Sequence, residues 1–172
     1  MTYYATQDTP IGPFTTIATA AATVLASGWT ADPEDLRHLI HPTLRPADLT
    51  ARKELGELTR VVDAYHEGDL SAIDSVVVEQ HSGEFLTHAW KVLRAVPAGE
   101  PVTYTGLAEL AGRPAATRAA ASACARNAAA LFVPCHRVVR IGGALGGFRW
   151  GLPVKQWLLD HEAARQAGGG VG

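Results

Sequence analysis

Apolar and polar positions change period several times along the chain. Phe14-Thr15-Thr16-Ile17-Ala18-Thr19 is a β-branched run behind the turn residues Thr9-Pro10-Ile11-Gly12-Pro13, and it predicts a strand. Thr23-Val24-Leu25-Ala26-Ser27 predicts its hairpin partner, although the intervening alanines leave a helix open as the alternative. Asp32-Pro33-Glu34 reads as a helix start, with Asp32 as cap, Pro33 in the first position, and Leu36, Leu39 and Ile40 on one face. From Ala51 to His66 the spacing becomes helical, with Leu55, Leu58, Val61, Val62 and Tyr65 in register and Gly68 as the stop. Ile73 to Glu79 is rich in valine and predicts a short strand. His81-Ser82-Gly83 is the expected junction, which gives one domain over 1–82 and a second over 83–172.

The second half is dominated by helical periods. Glu84 to Val96 places Phe85, Leu86, Ala89, Trp90, Leu93 and Val96 on an apolar face. Thr105 is a candidate N-cap for a short helix reaching Ala111, Gly112-Arg113-Pro114 is a turn, and another helix is expected from about Ala115 to Arg126. Helix, short glycine-containing turn, helix is the helix-turn-helix pattern. Seven alanines lie on that second helix, so it either packs tightly in an interior or brings its backbone close to a target, and the sequence does not separate these. Pro153 starts a last helix carrying Trp157, Leu158 and Leu159, and the glycine-rich tail from Ala167 is expected to lack regular structure. Strands in the first half with helices in the second make the chain mixed α/β, of α+β type.

Composition narrows the classes. At 172 residues, 47% hydrophobic and 19% charged, the chain has the make-up of a globular protein. No run is long and apolar enough for a bilayer, and the N-terminus lacks an export pattern, so the expectation is a cytoplasmic monomer with no membrane partner. The net charge of -2 hides a split. Residues 1–84 hold five Lys/Arg against thirteen Asp/Glu, while residues 85–172 hold ten against four. The second half, at +6, is therefore the one suited to an anionic partner. Two cysteines, Cys124 and Cys135, make no disulfide framework, and scattered histidines give no metal signature, so neither metal nor cofactor is expected.

The chemistry concentrates in Val133-Pro134-Cys135-His136-Arg137-Val138. A thiol attacks as its thiolate, and an adjacent imidazole or guanidinium favours that form. Pro134 fixes its own φ and biases Val133 toward extended geometry, which aims the thiol. Downstream, four glycines in six residues (Gly142, Gly143, Gly146, Gly147) let a loop fold closely around something, without the lysine and hydroxyl of a phosphate-binding loop.

The string from Asn127 to Val139 resembles the active-site segment of the methylated-DNA–protein-cysteine methyltransferases, and the resemblance runs on from His81-Ser82-Gly83 to about Glu162. It is weak over residues 1–84. The resemblance implies a ribonuclease H-like first domain, a winged-helix-like second domain, and double-stranded DNA containing alkylated guanine as partner, contacted through the minor groove. It further implies transfer of the alkyl group from 6-O-methylguanine, and from 4-O-methylthymine, to Cys135, with the nucleotide flipped out and the protein consumed after one turnover. His136 would be the base, Glu162 its orienting carboxylate, and Tyr104 the proton donor to the base and a DNA contact. Val138, Phe148, Arg149, Asn127 and Lys155 would shape the substrate pocket, while Arg118, Ala119, Arg126 and Arg137 would meet DNA, with Arg118 filling the gap. Phe148 stands where tyrosine is more usual, and Arg149-Trp150 make the loop bulkier than in some relatives. Alternatives from other classes are a lesion-binding or redox-sensing helix-turn-helix protein without transfer activity, and a cysteine hydrolase, for which no oxyanion site is visible.

Overall fold

A computed structural model describes residues 1–169, with side chains through Arg165. The chain separates into two compact units. One comprises Met1–His81 together with Ala128–Phe132, and the other Ser82–Asn127 with the chain from Val133 onward.

The first unit opens with β1 (Thr2–Thr9), a strand the sequence reading does not assign, paired antiparallel with β2 (Gly12–Thr19). The hairpin closes where Thr9 Oγ1 donates to the Gly12 carbonyl at 2.6 Å and accepts from the Ile11 N–H at 3.2 Å. β3 (Val24–Gly28) pairs with β2 as expected, and with β4 (Thr50–Ala51) at the other edge the sheet order is β3-β2-β1-β4. The central strand β2 is buried from Phe14 through Ala18, so its threonines need internal partners; Thr15 Oγ1 finds the Thr30 carbonyl at 2.6 Å. The one-turn helix α1 (Glu34–Arg37) starts as predicted, with the Asp32 carboxylate accepting from the Glu34 N–H at 2.9 Å and Pro33 at helical φ/ψ.

Three expectations fail in this unit. α1 stops at Arg37, so Leu39 and Ile40, expected on its face, lie beyond it. The helix predicted from Ala51 begins only at Glu57, as α2 (Glu57–Glu67). Thr50–Ala51 is instead β4, parallel to β1, and Gly56 at φ 63° lies outside the helical region, so no turn can propagate back through it. The strand predicted over Ile73 to Glu79 is a 3₁₀ turn at Leu70–Ile73 followed by a single parallel bridge between Val24 and Val78. Gly68, at φ 118°, ends α2 as expected.

Ala128–Phe132 runs beside β3. The Ser27 N–H donates to the Ala128 carbonyl at 2.8 Å, the Ala130 N–H to the Ser27 carbonyl at 3.2 Å, and the Ser27 hydroxyl to the Ala130 carbonyl at 2.7 Å. Leu131 sits at φ 77°, a region costly for a branched side chain, and is fully buried. Phe132 packs edge-on to Phe14, with ring centroids 6.3 Å apart.

The second unit holds α3 (Glu84–Arg94), β5 (Val102–Thr103), α4 (Tyr104–Leu110), α5 (Thr117–Ala125), β6 (Val138–Val139) and α6 (Leu152–Gly169). Thr103, not Thr105, caps α4: its hydroxyl accepts from the Gly106 N–H at 2.9 Å, because the helix already begins at Tyr104. The turn into α5 is closed by the Arg113 N–H to the Ala108 carbonyl and the Gly112 N–H to the Glu109 carbonyl, the paired bonds of a Schellman end. α5 resolves its ambiguity by sides. Ala120 and Ala123 are buried, and the Trp90 indole of α3 donates to the Ala123 carbonyl at 2.9 Å, whereas Arg118 and Arg126 are exposed and Ala119 is half-buried. β5 and β6 form a two-stranded parallel ladder, Val102 against Val138 and Thr103 against Val139. The last helix extends to Gly169, so Ala167 to Gly169 are helical against expectation; residues 170–172 lie outside the described residues. Among the described residues no helix is long and apolar enough to cross a membrane.

Candidate active site

Pro134, at φ -81° and ψ 66°, makes an inverse γ-turn in which the Cys135 N–H donates to the Val133 carbonyl at 2.8 Å. A single 3₁₀ turn, Cys135–Arg137, follows and hands the chain to β6. Two consecutive tight turns reverse the backbone at the thiol, which is the consequence of placing proline before it. Asn127 grips the same bend: its amide donates to the Val133 carbonyl at 2.8 Å and its side chain hydrogen-bonds the Cys135 thiol.

Cys135 is buried, and burial pushes its thiol up from the ordinary range. The Asn127 hydrogen bond opposes this, as do the positive charges of Lys155 and Arg149. The sequence pointed to the neighbours His136 and Arg137 as the groups favouring thiolate. The structure turns both of those side chains to Glu162 and leaves the electrostatic help to residues 14 and 20 positions downstream.

His136 and Glu162 are fully buried, with Nε2 and Oε2 2.8 Å apart. Arg137 grips the same carboxylate from both sides, Nε to Oε1 and Nη2 to Oε2, each at 2.9 Å, and its Nη1 donates to the Val96 carbonyl at 2.8 Å. Burial alone would raise Glu162, but His136 and Arg137 outweigh it and hold the carboxyl well below the usual range, so it is ionised. For His136 burial dominates and pushes the imidazole down, more than Glu162 pulls it up. A neutral imidazole facing an acceptor-only carboxylate must carry its proton on Nε2. Nδ1 is then a bare lone pair, and it is buried without a hydrogen-bond partner.

Arg137 is a correction. Expected to meet DNA, it is 4% exposed, and each of its three nitrogens donates inward, to Glu162 or to the Val96 carbonyl, so burial keeps the guanidinium from a phosphate. Lys155 is also buried; its ammonium donates to the carbonyls of Val138 at 2.7 Å, Gly147 at 3.2 Å and Leu145. It thereby ties β6 to the glycine loop. Burial pushes the ammonium down, while the two cysteines raise it.

Tyr104, the first residue of α4, lies against that loop. A Cβ at Gly146 would come within 2.7 Å of the Tyr104 hydroxyl, and Gly146 has φ +73°, so both space and backbone demand glycine there. The Gly147 backbone hydrogen-bonds the hydroxyl. Burial raises the Tyr104 phenol, with the two cysteines adding to the effect, so it stays protonated and able to donate. The four glycines pointed to a loop that folds closely around something; which glycine must approach Tyr104 is seen only in the structure. Phe148 is half-buried, and Arg149 reaches the end of α5, where Nη2 donates to the Ala125 carbonyl at 2.6 Å. Among the described residues no cluster of three or more His, Cys, Asp or Glu is arranged to hold a metal.

Residues 84–164 match the family model described as the DNA-binding domain of 6-O-methylguanine DNA methyltransferase. Over 156 residues the chain is 34% identical to a methylated-DNA–protein-cysteine methyltransferase of Shigella flexneri, covering 90% of this chain and 91% of that one. It is 40% identical over 121 residues to the bifunctional transcriptional activator/DNA repair enzyme Ada of Escherichia coli, of which it spans only 33%. The Ada protein of Salmonella typhimurium is likewise matched over 36% of its length. Mycobacterium tuberculosis OGT, crystallised in complex with DNA, superimposes with a TM-score of 0.77 at 28% identity, covering 95% of this chain and 94% of that one.

Proposed function

The chain belongs to the methylated-DNA–protein-cysteine methyltransferase family, and from that premise we propose that it repairs DNA by moving an alkyl group from the 6-oxygen of guanine to the sulfur of Cys135. The observation that carries the proposal is the buried chain Cys135, His136, Glu162, in which an ionised carboxylate fixes the imidazole proton on Nε2 and leaves Nδ1 as a base. His136 takes the thiol proton at Nδ1 by way of one water, the sulfur attacks the alkyl carbon in line, and the bond from that carbon to the guanine oxygen breaks. Tyr104 delivers a proton to the leaving base and regains one from the site, so the thiol proton ends, in balance, on guanine. Burial raises the thiol and Lys155 and Arg149 only partly offset it, so Cys135 needs His136 to take its proton before it attacks.

The alkyl carbon of a stacked guanine is out of reach of a buried sulfur, so the nucleotide is flipped out, at a cost of roughly a few kcal/mol. α5 lies along the minor groove, where Ala119 permits close approach and exposed Arg118 and Arg126 supply a gap-filling side chain and a phosphate contact. On the same reading the first unit is ribonuclease H-like and the second winged-helix-like, with the β5–β6 ladder beside the helix pair. The product is a thioether, whose carbon–sulfur bond water does not hydrolyse, so each molecule acts once. The test is intact mass after mixing with a duplex carrying methylated guanine. One methyl group gained per molecule, lost in Cys135→Ser, supports transfer; binding without mass gain would leave a lesion-binding protein.

A further inference from the structure

Two contacts link the parts of the second unit around Tyr104. Thr103 of β5 pairs with Val139 of β6, so Tyr104 and Arg140 directly follow one matched pair. Thr105 and Thr117 hydroxyls lie 3.4 Å apart, which sets the first turn of α4 beside the first turn of α5 and so beside Arg118. Tyr104 therefore stands between Arg118 and Arg140 in one continuous run of contacts.

Arg140 is exposed, and among the described residues no carboxylate lies within ion-pair distance of it. Its backbone anchors a tight turn, with the Arg140 N–H to the Ala144 carbonyl at 2.8 Å and the Gly143 N–H to the Arg140 carbonyl at 3.1 Å. The guanidinium is near enough to Tyr104 for its charge to oppose the rise of that phenol. Three other cations of this unit near the site are spent elsewhere: Arg137 on Glu162, Lys155 on three carbonyls, and Arg149 on the end of α5. An exposed guanidinium without a carboxylate, carried on a hydrogen-bonded turn beside the residue that meets the flipped nucleotide, has the chemistry of a phosphate contact.

We propose that Arg140 is a DNA-binding residue of this protein, taking a backbone phosphate next to the extruded nucleotide, so that Arg118 and Arg140 hold the strand on either side of Tyr104. This rests on the flipping reaction proposed above. Arg118 occupies the vacated stack while Arg140 holds the backbone from which the base has swung, and the two act on different parts of the same strand.

The experiment uses the full chain and a duplex with one methylated guanine, measuring binding against salt and repair rate for Arg140→Gln and Arg140→Lys. One lost phosphate contact lowers the slope of log K against log salt by about 0.9. Arg140→Gln should show that drop, bind about twofold to fivefold more weakly at low salt, and slow duplex repair more than reaction with free benzylated guanine. Arg140→Lys should recover the slope. An unchanged slope in Arg140→Gln overturns the proposal even if the protein repairs DNA. A protein that transfers nothing from either substrate, yet whose salt slope falls in Arg140→Gln, would overturn the repair reading and keep the phosphate contact.

Discussion

Glu162→Gln tests the buried charge chain most directly. The substitution keeps the volume and one acceptor oxygen but removes the negative charge shared by His136 and Arg137. Arg137 would then be a buried guanidinium facing an amide, in a site where it is 4% exposed. Removing one partner of a buried pair typically costs about 3–5 kcal/mol, because the remaining charge is uncompensated. In a chain of this length 1 kcal/mol moves Tm by about 2–4 °C, so a fall of roughly 6–20 °C is expected. The chemistry suffers separately. An amide can donate as well as accept, so it no longer forces the imidazole proton onto Nε2, and Nδ1 ceases to be a dependable base. The assay pairs a melting curve with transfer from free benzylated guanine, measured well below the lowered Tm so that unfolding does not contribute. A melting temperature within 2 °C of the parent, roughly the effect of 1 kcal/mol or less, would refute the energetic argument. A parent-like transfer rate would refute the role of the carboxylate in holding the tautomer.

Acid should destabilise the fold from near neutrality. His136 is held neutral, its folded pKa below the ordinary value of about 6.5, so the unfolded chain binds more protons once pH falls through that value, and stability drops with pH there. Glu162, also depressed, adds a second loss below about pH 4.3 as the unfolded carboxyl protonates first. Melting from pH 7.5 to 5 should show the first slope, and His136→Asn should flatten it; a slope unaltered by that change would assign the effect elsewhere. Gly146→Ala should slow transfer strongly by driving a methyl into the Tyr104 hydroxyl, and combining it with Tyr104→Phe should relieve part of the melting-temperature loss; strict additivity would contradict the contact. The methylated protein should melt lower than the fresh one, since an added methyl overpacks a closed site by about 1–3 kcal/mol; equal melting after DNA removal would contradict that.

Local chemistry made much of this protein readable from its sequence. The proline before Cys135 dictates the bend that presents the thiol, Gly112 and the residues around it end one helix of the helix-turn-helix, and Asp32-Pro33 starts α1 as the residues require. These are interactions over a few positions, and their outcome depends little on the rest of the chain. Other features follow from partners far away in sequence. Arg137 could have pointed to solvent and a phosphate. It points inward because a carboxylate 25 residues on and the carbonyl of Val96 together satisfy its guanidinium. The same carboxylate takes His136 away from direct pairing with its neighbouring cysteine, and the charges that favour thiolate arrive on Lys155 and Arg149. Ala128–Phe132, apolar and featureless as a string, is bound to the edge of β3 by the Ser27 backbone and hydroxyl, which the sequence could not announce because nothing local distinguishes that serine. A side chain's charge is written at its own position, but the direction in which it is spent depends on which distant groups come within hydrogen-bond reach, and only the folded chain decides that.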